Sequence, residues 1–327
     1  MNTLRALADR ARPALRWLQT PRRSRAALLA MQCVIVLGLG LPIARNWQVI
    51  RATQWTPTPA LALALLAGYG LIMALWFAVW LGLTRLLLPI DLRRDARAFA
   101  YTLVARHIPV AGAAWNYLGR PAFYAGYGVP ARRTARVIAI DIASQIGAVA
   151  ALASGLAISA REGPMAEPRM RALTSMAVLL VIAIAAAALL LPAALRLTGA
   201  AQTDDLPALR ALLSATFAYA LSWGVFAAMT WLFFNRSSTS FPISPANALG
   251  LCALTGIVSY LTGLIPLPTS GLRELSFAWL ATLFLGGQAA LAPAGAYILA
   301  INLCDLALAG ALLLLNPSGP RAPTGGL

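Results

Sequence analysis

The chain predicts an all-α polytopic membrane protein with seven or eight spans and two broken or re-entrant segments. Three observations carry that expectation. Of 327 residues, 60% are apolar and 11% charged, with a mean hydropathy of +0.74, whereas a soluble domain carries charge on about a quarter of its residues. Uncharged stretches of span length recur along the chain, and the basic residues collect in the short loops between them.

About 20 apolar residues suffice to cross roughly 30 Å of hydrocarbon at 1.5 Å per residue. By that measure 26–44, 60–84, 172–195 and 211–235 are spans, and 137–160 is a span carrying one charge, Asp141. Residues 1–25 form a basic segment with Arg5, Arg10, Arg12, Arg16, Arg22, Arg23 and Arg25. The following apolar run lacks a small-residue cleavage site and reads as a retained first span. Residues 85–105 combine leucines with Arg93, Arg94 and Arg97, the composition of a helix lying on an anionic membrane surface. Alternating the loops from a cytoplasmic N-terminus puts 16 arginines inside and six outside, as the positive-inside rule requires. The count needs residues 98–131 to enter and leave on one side, which makes them a re-entrant candidate.

Toward the C-terminus, 246–265 and 289–315 can each span, while 273–287 is too short to cross and reads as a half-helix. Ala143, Gly147, Ala151 and Gly155 form a small-residue stripe suited to close helix packing. Asp204 and Asp205 precede Leu-Pro and an apolar run, the usual helix-start chemistry. The chain divides into the basic segment 1–25, a transmembrane domain 26–315 and a short disordered tail 316–327.

Composition also excludes functions. All 26 basic residues are arginine, so lysine-dependent chemistry is absent: the phosphate-binding loop of nucleotide hydrolases and the Schiff bases of pyridoxal and retinal. One histidine, His107, and three dispersed cysteines, Cys33, Cys252 and Cys304, leave no multi-histidine zinc site, iron–sulfur cluster or bis-histidine haem. No cofactor or metal is expected. The net charge of +16 sits in membrane loops rather than on an aromatic-bearing soluble surface, so no nucleic acid is expected as a partner.

Charges inside spans cost about 3 kcal/mol each on insertion scales and face a cavity or a partner. Arg106, Arg120, Asp141, Arg273 and Glu274 fall in or beside two proline- and glycine-broken segments, 106–112 and 264–271, and Asp305 lies inside the last apolar run. Breaks at corresponding places in two halves mark a transporter's midplane site and make the halves a candidate inverted repeat. Arginine suits phosphate because its planar fork gives bidentate, charge-assisted bonds. Arg273 and Glu274 are neighbours pointing to different sides of a helix, so Glu274 is expected to pair with Arg106 or Arg120. Plainer readings stand beside these: snorkelling for Arg106 and Arg120, helix-packing hydrogen bonds for Asp141 and Asp305, a neutral structural carboxyl for Glu274, and an interfacial aromatic belt for Trp115 and Tyr117.

The segment Arg106-His-Ile-Pro-Val-Ala-Gly-Ala-Ala-Trp-Asn-Tyr-Leu-Gly-Arg120 resembles the R-x-x-P-G-x-x-W-x-x-x-G-R segment of the lysylphosphatidylglycerol synthase transmembrane-region family, the flippase-like domain. Ile265-Pro-Leu-Pro-Thr-Ser-Gly-Leu-Arg-Glu274 is similar to that family's P-x-P-x-G-x-G-x-R-E segment. Val110-Ala111 stands where the family continues Pro-Gly, and Asp141 where it tends to have glutamate.

The resemblance implies a stand-alone flippase-like domain that handles or translocates an anionic lipid, either an aminoacylated phospholipid or a polyprenyl-phosphate-linked glycolipid. Its expected place is a bacterial inner membrane, with the N-terminus cytoplasmic. Arg106, Trp115, Tyr117, Arg120 and Arg273 are the expected substrate contacts, with Asp141, Glu274 and Asp305 as counter-ions or proton-coupling acids. A membrane-embedded glycosyl- or phospho-transferase, and a non-transporting scaffold for a lipid-modifying enzyme, are the alternatives.

Overall fold

The computed structural model describes residues 58–87, 91–105, 119–159, 163–176, 209–237, 241–263 and 272–315, with isolated positions at 44, 48, 115, 178–179 and 182–183. Every regular element among them is helical: α1 (Pro59–Leu87), α2 (Leu92–Ala105), α3 (Arg120–Ala125), α4 (Ala131–Ser159), α5 (Leu209–Ser237), α6 (Pro245–Gly263), α7 (Leu272–Phe284) and α8 (Leu291–Leu315), with short 3-10 turns and a further helix over 168–176. The expected spans 26–44 and most of 172–195, and the pair Asp204-Asp205, lie outside the described residues.

Local chemistry sets the helix starts. Thr58 accepts the Leu61 amide at 3.2 Å ahead of Pro59, and Ser244 accepts the Asn247 amide at 3.2 Å ahead of Pro245, so a hydroxyl cap and a proline at the first helical position share the unpaired N–H groups. Asp91 does the same for α2, accepting the Arg93 amide at 3.2 Å. Helix α1 ends at Leu87, just before the Leu88-Pro89 step, which disfavours helical geometry. The surface-helix expectation for 85–105 is therefore corrected: its first residues finish α1, and α2 begins only at Leu92.

Four helices, α1, α4, α5 and α8, are long and apolar enough to cross a membrane, and α6 and α7 are shorter apolar helices. Leu63, Leu66, Phe217, Leu299, Leu303 and Leu314 lie exposed on α1, α5 and α8, an outer surface suited to lipid rather than water. Helix α4 is the inner one, with 61% of its apolar window buried. Where α4, α5 and α6 meet, a Cβ on Gly256 would stand 2.7 Å from Val149 and 3.0 Å from Trp223. Such close approach supplies the dispersion contact that drives association where the surroundings are as apolar as the helices. The expected small-residue stripe holds only in part, since Ala143 is buried but Ala151 and Gly155 are exposed. The buried face of α4 runs instead through Ala148, Val149, Ala153 and Leu156.

Contacts give the helix directions. Met229 lies against Gly68 and Trp76 bonds Ser222, so α1 and α5 are antiparallel. Val149 meets Gly256 and Gln145 meets Tyr260, so α4 and α6 are antiparallel. Arg85, Arg93, Arg94, Arg97, Arg132, Arg133, Arg136 and Arg210 consequently lie toward one end of the bundle, and Arg169, Arg171 and Arg236 toward the other. Helices α2 and α3 run out and back, with Asp95 against Tyr124 near the arginine-rich end and Thr102 against Arg120 deeper in. Helices α6 and α7 form a second such pair, with Phe284 against Gly250. The two pairs open toward opposite ends, and both α2 and α7 pack on α8.

Candidate functional site

The site grows from the first hairpin. Gly119 precedes α3, and a Cβ there would stand 2.4 Å from the Trp115 ring, so only glycine lets the indole lie flat against the chain. Trp115 in turn packs on Tyr101 and Phe123, and its Nε1–H donates to Thr102 Oγ1 at 2.8 Å. Pro121 starts α3 and leaves Arg120 at its first position, buried at 5% exposure. Arg120 Nε–H and one Nη2–H both donate to Thr102 Oγ1, at 3.2 and 3.1 Å. Its guanidinium lies 4.1 Å from the centre of the Trp80 ring, a cation–π contact.

Arg120 Nη1 meets Asp141 Oδ2 at 3.3 Å. The other carboxylate oxygen of Asp141 accepts the Tyr219 hydroxyl. Tyr219 receives Gln145 Nε2–H at 3.4 Å, and Tyr260 donates to Gln145 Oε1 at 2.9 Å. A continuous polar line therefore joins α2, α3, α4, α5 and α6 inside an apolar bundle, and Tyr260 lies a turn before the second break. One N–H on each terminal nitrogen of Arg120 has no acceptor among the described residues, and a guanidinium so held is poised to donate to an added anion.

This arrangement corrects the expected pairing. Arg120 takes Asp141 as its carboxylate, not Glu274. Glu274, in the first turn of α7, accepts Asn302 Nδ2–H at 3.1 Å and so reaches the middle of α8. A pairing of Glu274 with Arg106 lies outside the described residues, as do Arg106, His107 and Tyr117 themselves and the side chain of Arg273. Trp115, expected as a substrate contact, spends its N–H on Thr102 within an aromatic cluster.

Asp305 is fully buried and lines a small, partly open cavity of about 60 Å³ between α1, α5, α6 and α8. Tyr69, Ile72, Met73, Trp76, Trp223 and Phe226 make most of its wall, with Ser222, Thr255, Ile298 and Ile301. Trp76 also packs edge-on against Tyr219, at 6.0 Å between centroids. The cavity and the Arg120–Asp141 cluster thus share a wall.

Sequence reasoning missed Asp95, Thr102, Tyr219, Gln145 and Tyr260. Asp95 is fully buried, accepting Tyr124 O–H at 2.9 Å and Thr84 O–H at 3.1 Å. It had a legible signal, an acid in line with Phe99 and Leu103 on the apolar face of an amphipathic helix. The other four are uncharged, and nothing in their spacing sets them apart from the many other hydroxyls and amides in the spans. No group of acids, histidines and cysteines among the described residues could hold a metal. No protein-family model matches the chain, and no curated protein matches it.

Proposed function

We propose that this protein handles an anionic lipid in a cytoplasmic membrane, and more specifically carries it between leaflets, with Arg120 as the phosphate contact and Asp141 as its counter-ion. The observation behind this reading is the state of Arg120: buried, balanced on one edge by a carboxylate, stacked on Trp80 and holding spare N–H groups toward an anion. A buried arginine of this kind is costly in a membrane and marks a substrate path more often than a structural strut. The two broken hairpins opening to opposite ends, and the resemblance of 106–120 and 265–274 to the flippase-like family, support the same reading. The arginine-rich end is the cytoplasmic one by the positive-inside rule, which puts the N-terminus inside.

Reconstitution into liposomes with a fluorescent anionic phospholipid tests the reading. Leaflet exchange that Arg120→Gln abolishes supports it. Chemical turnover of the lipid without exchange would mean a transferase, and neither activity would leave a scaffold.

A further inference from the structure

Thr102 Oγ1 is the meeting point of more donors than a hydroxyl can serve. Trp115 Nε1–H reaches it at 2.8 Å, Arg120 Nε–H at 3.2 Å and Arg120 Nη2–H at 3.1 Å, while its own hydrogen goes to the Ala98 carbonyl at 3.0 Å. A hydroxyl oxygen has two acceptor lone pairs, so three N–H groups share two places. The edge of Arg120 that suits two oxygens of a phosphate closes here on one uncharged oxygen.

The donors do not depend on Thr102 for their positions. Asp141 at 3.3 Å and the Trp80 ring at 4.1 Å fix the guanidinium. Packing on Tyr101 and Phe123, and close contact with Gly119, fix the indole. With the hydroxyl turned aside, three N–H groups, two of them from a cation, would still converge on the space it left. Threonine can turn aside without moving α2, because it splits between two side-chain rotamers in a helix. Thr102 and Trp115 are both half-buried, so neither is sealed inside the bundle.

We propose that Thr102 Oγ1 holds the place of an anionic phosphate oxygen, which displaces it and takes the N–H groups of Trp115 and Arg120. This rests on the lipid-handling reading and deepens it by naming a residue that sets specificity at the same site. An uncharged headgroup oxygen would only exchange one hydroxyl for another and gain nothing. An anionic oxygen gains charge-assisted bonds on displacing a neutral one. Thr102 is thus the competitor that admits a phosphate and turns away a neutral lipid.

Titration of the full chain in detergent, followed by thermal melting, tests this with three probes: phosphatidylglycerol, inorganic phosphate and diacylglycerol. Thr102→Ala removes the competing oxygen and leaves its space open. It should melt below the unmodified protein without anion, yet bind phosphatidylglycerol more tightly by roughly tenfold, the worth of a hydrogen bond to a charged group. Thr102→Val puts a methyl group where the oxygen stood and should bind no more tightly than the unmodified protein. A threonine that merely braced the arginine would give weaker binding in both variants. Weaker or unchanged binding by Thr102→Ala overturns the proposal, as does an equal gain for diacylglycerol. Equal tightening by both variants also overturns it, since the vacated space would then be unused. Tightening for inorganic phosphate alone would keep the displaced oxygen and assign it to free phosphate instead of a lipid headgroup. The underlying reading fails separately, if Arg120→Gln binds phosphatidylglycerol as the unmodified protein does. The proposal alone fails if Arg120→Gln loses that binding while Thr102→Ala gains none.

Discussion

Asp141→Asn tests whether the Arg120–Asp141 contact is an ion pair on which the fold depends. The two side chains are 6% and 4% exposed, with Nη1 and Oδ2 3.3 Å apart. At that separation and an effective dielectric of about 20, Coulomb attraction is about 5 kcal/mol, and removing one partner of a buried pair costs about 3–5 kcal/mol because the other charge is left stranded. Asparagine keeps the shape and can still accept the Tyr219 hydroxyl, so the loss reports the charge. Thr102 and the Trp80 face remain to hold the guanidinium, and cation–π attraction of about 0.5–2 kcal/mol offsets only part of the loss. A plain interhelical hydrogen bond, by contrast, averages about 0.6 kcal/mol in membrane proteins. Equilibrium unfolding in mixed micelles, followed by circular dichroism, separates the two magnitudes. The double variant Arg120→Gln with Asp141→Asn places two neutral amides face to face and should recover stability, with a coupling of at least about 2 kcal/mol. A single-variant loss below about 1 kcal/mol, or strict additivity in the double variant, would refute the argument.

Two further outcomes are expected. Burial raises the Asp95 carboxyl above its ordinary value of 3.8, and hydrogen bonds from Tyr124 and Thr84 offset this only in part. A raised folded-state value means stability that is fully present below the ordinary value and lost as pH rises through the folded one. Melting temperature should therefore fall as pH climbs above about 4 through that raised value, and Asp95→Asn should flatten the dependence; an equally steep decline in the variant would exclude Asp95 as its source. In a background free of native cysteines, Glu167→Cys should react with an impermeant thiol reagent added outside intact cells and Arg93→Cys should not, both side chains being exposed at opposite ends of the bundle. The reverse pattern would invert the topology.

Much of the architecture follows from the sequence alone. Uncharged runs place α1, α5, α6 and α8 to within a few residues, and α4 except for its first turn and a half, which carries arginines, because length and apolarity are local properties that the bilayer reads directly. The Thr58-Pro59 and Ser244-Pro245 starts are local too, since a cap needs only the residues of one turn. The alternation that divides the arginines between two ends also needs no tertiary knowledge. Partners are another matter. Arg120 meets Asp141 and not Glu274, and Asp141 meets Tyr219 on a helix far along the chain. Helices such as α1 and α8 are apolar around their whole circumference, so no polar stripe tells which side turns inward. Which of their residues meet is decided by packing, as where Gly256 admits Val149 and Trp223. The cavity is a product of that rotation: Tyr69 and Trp223 look like ordinary membrane aromatics until four helices close around the same space.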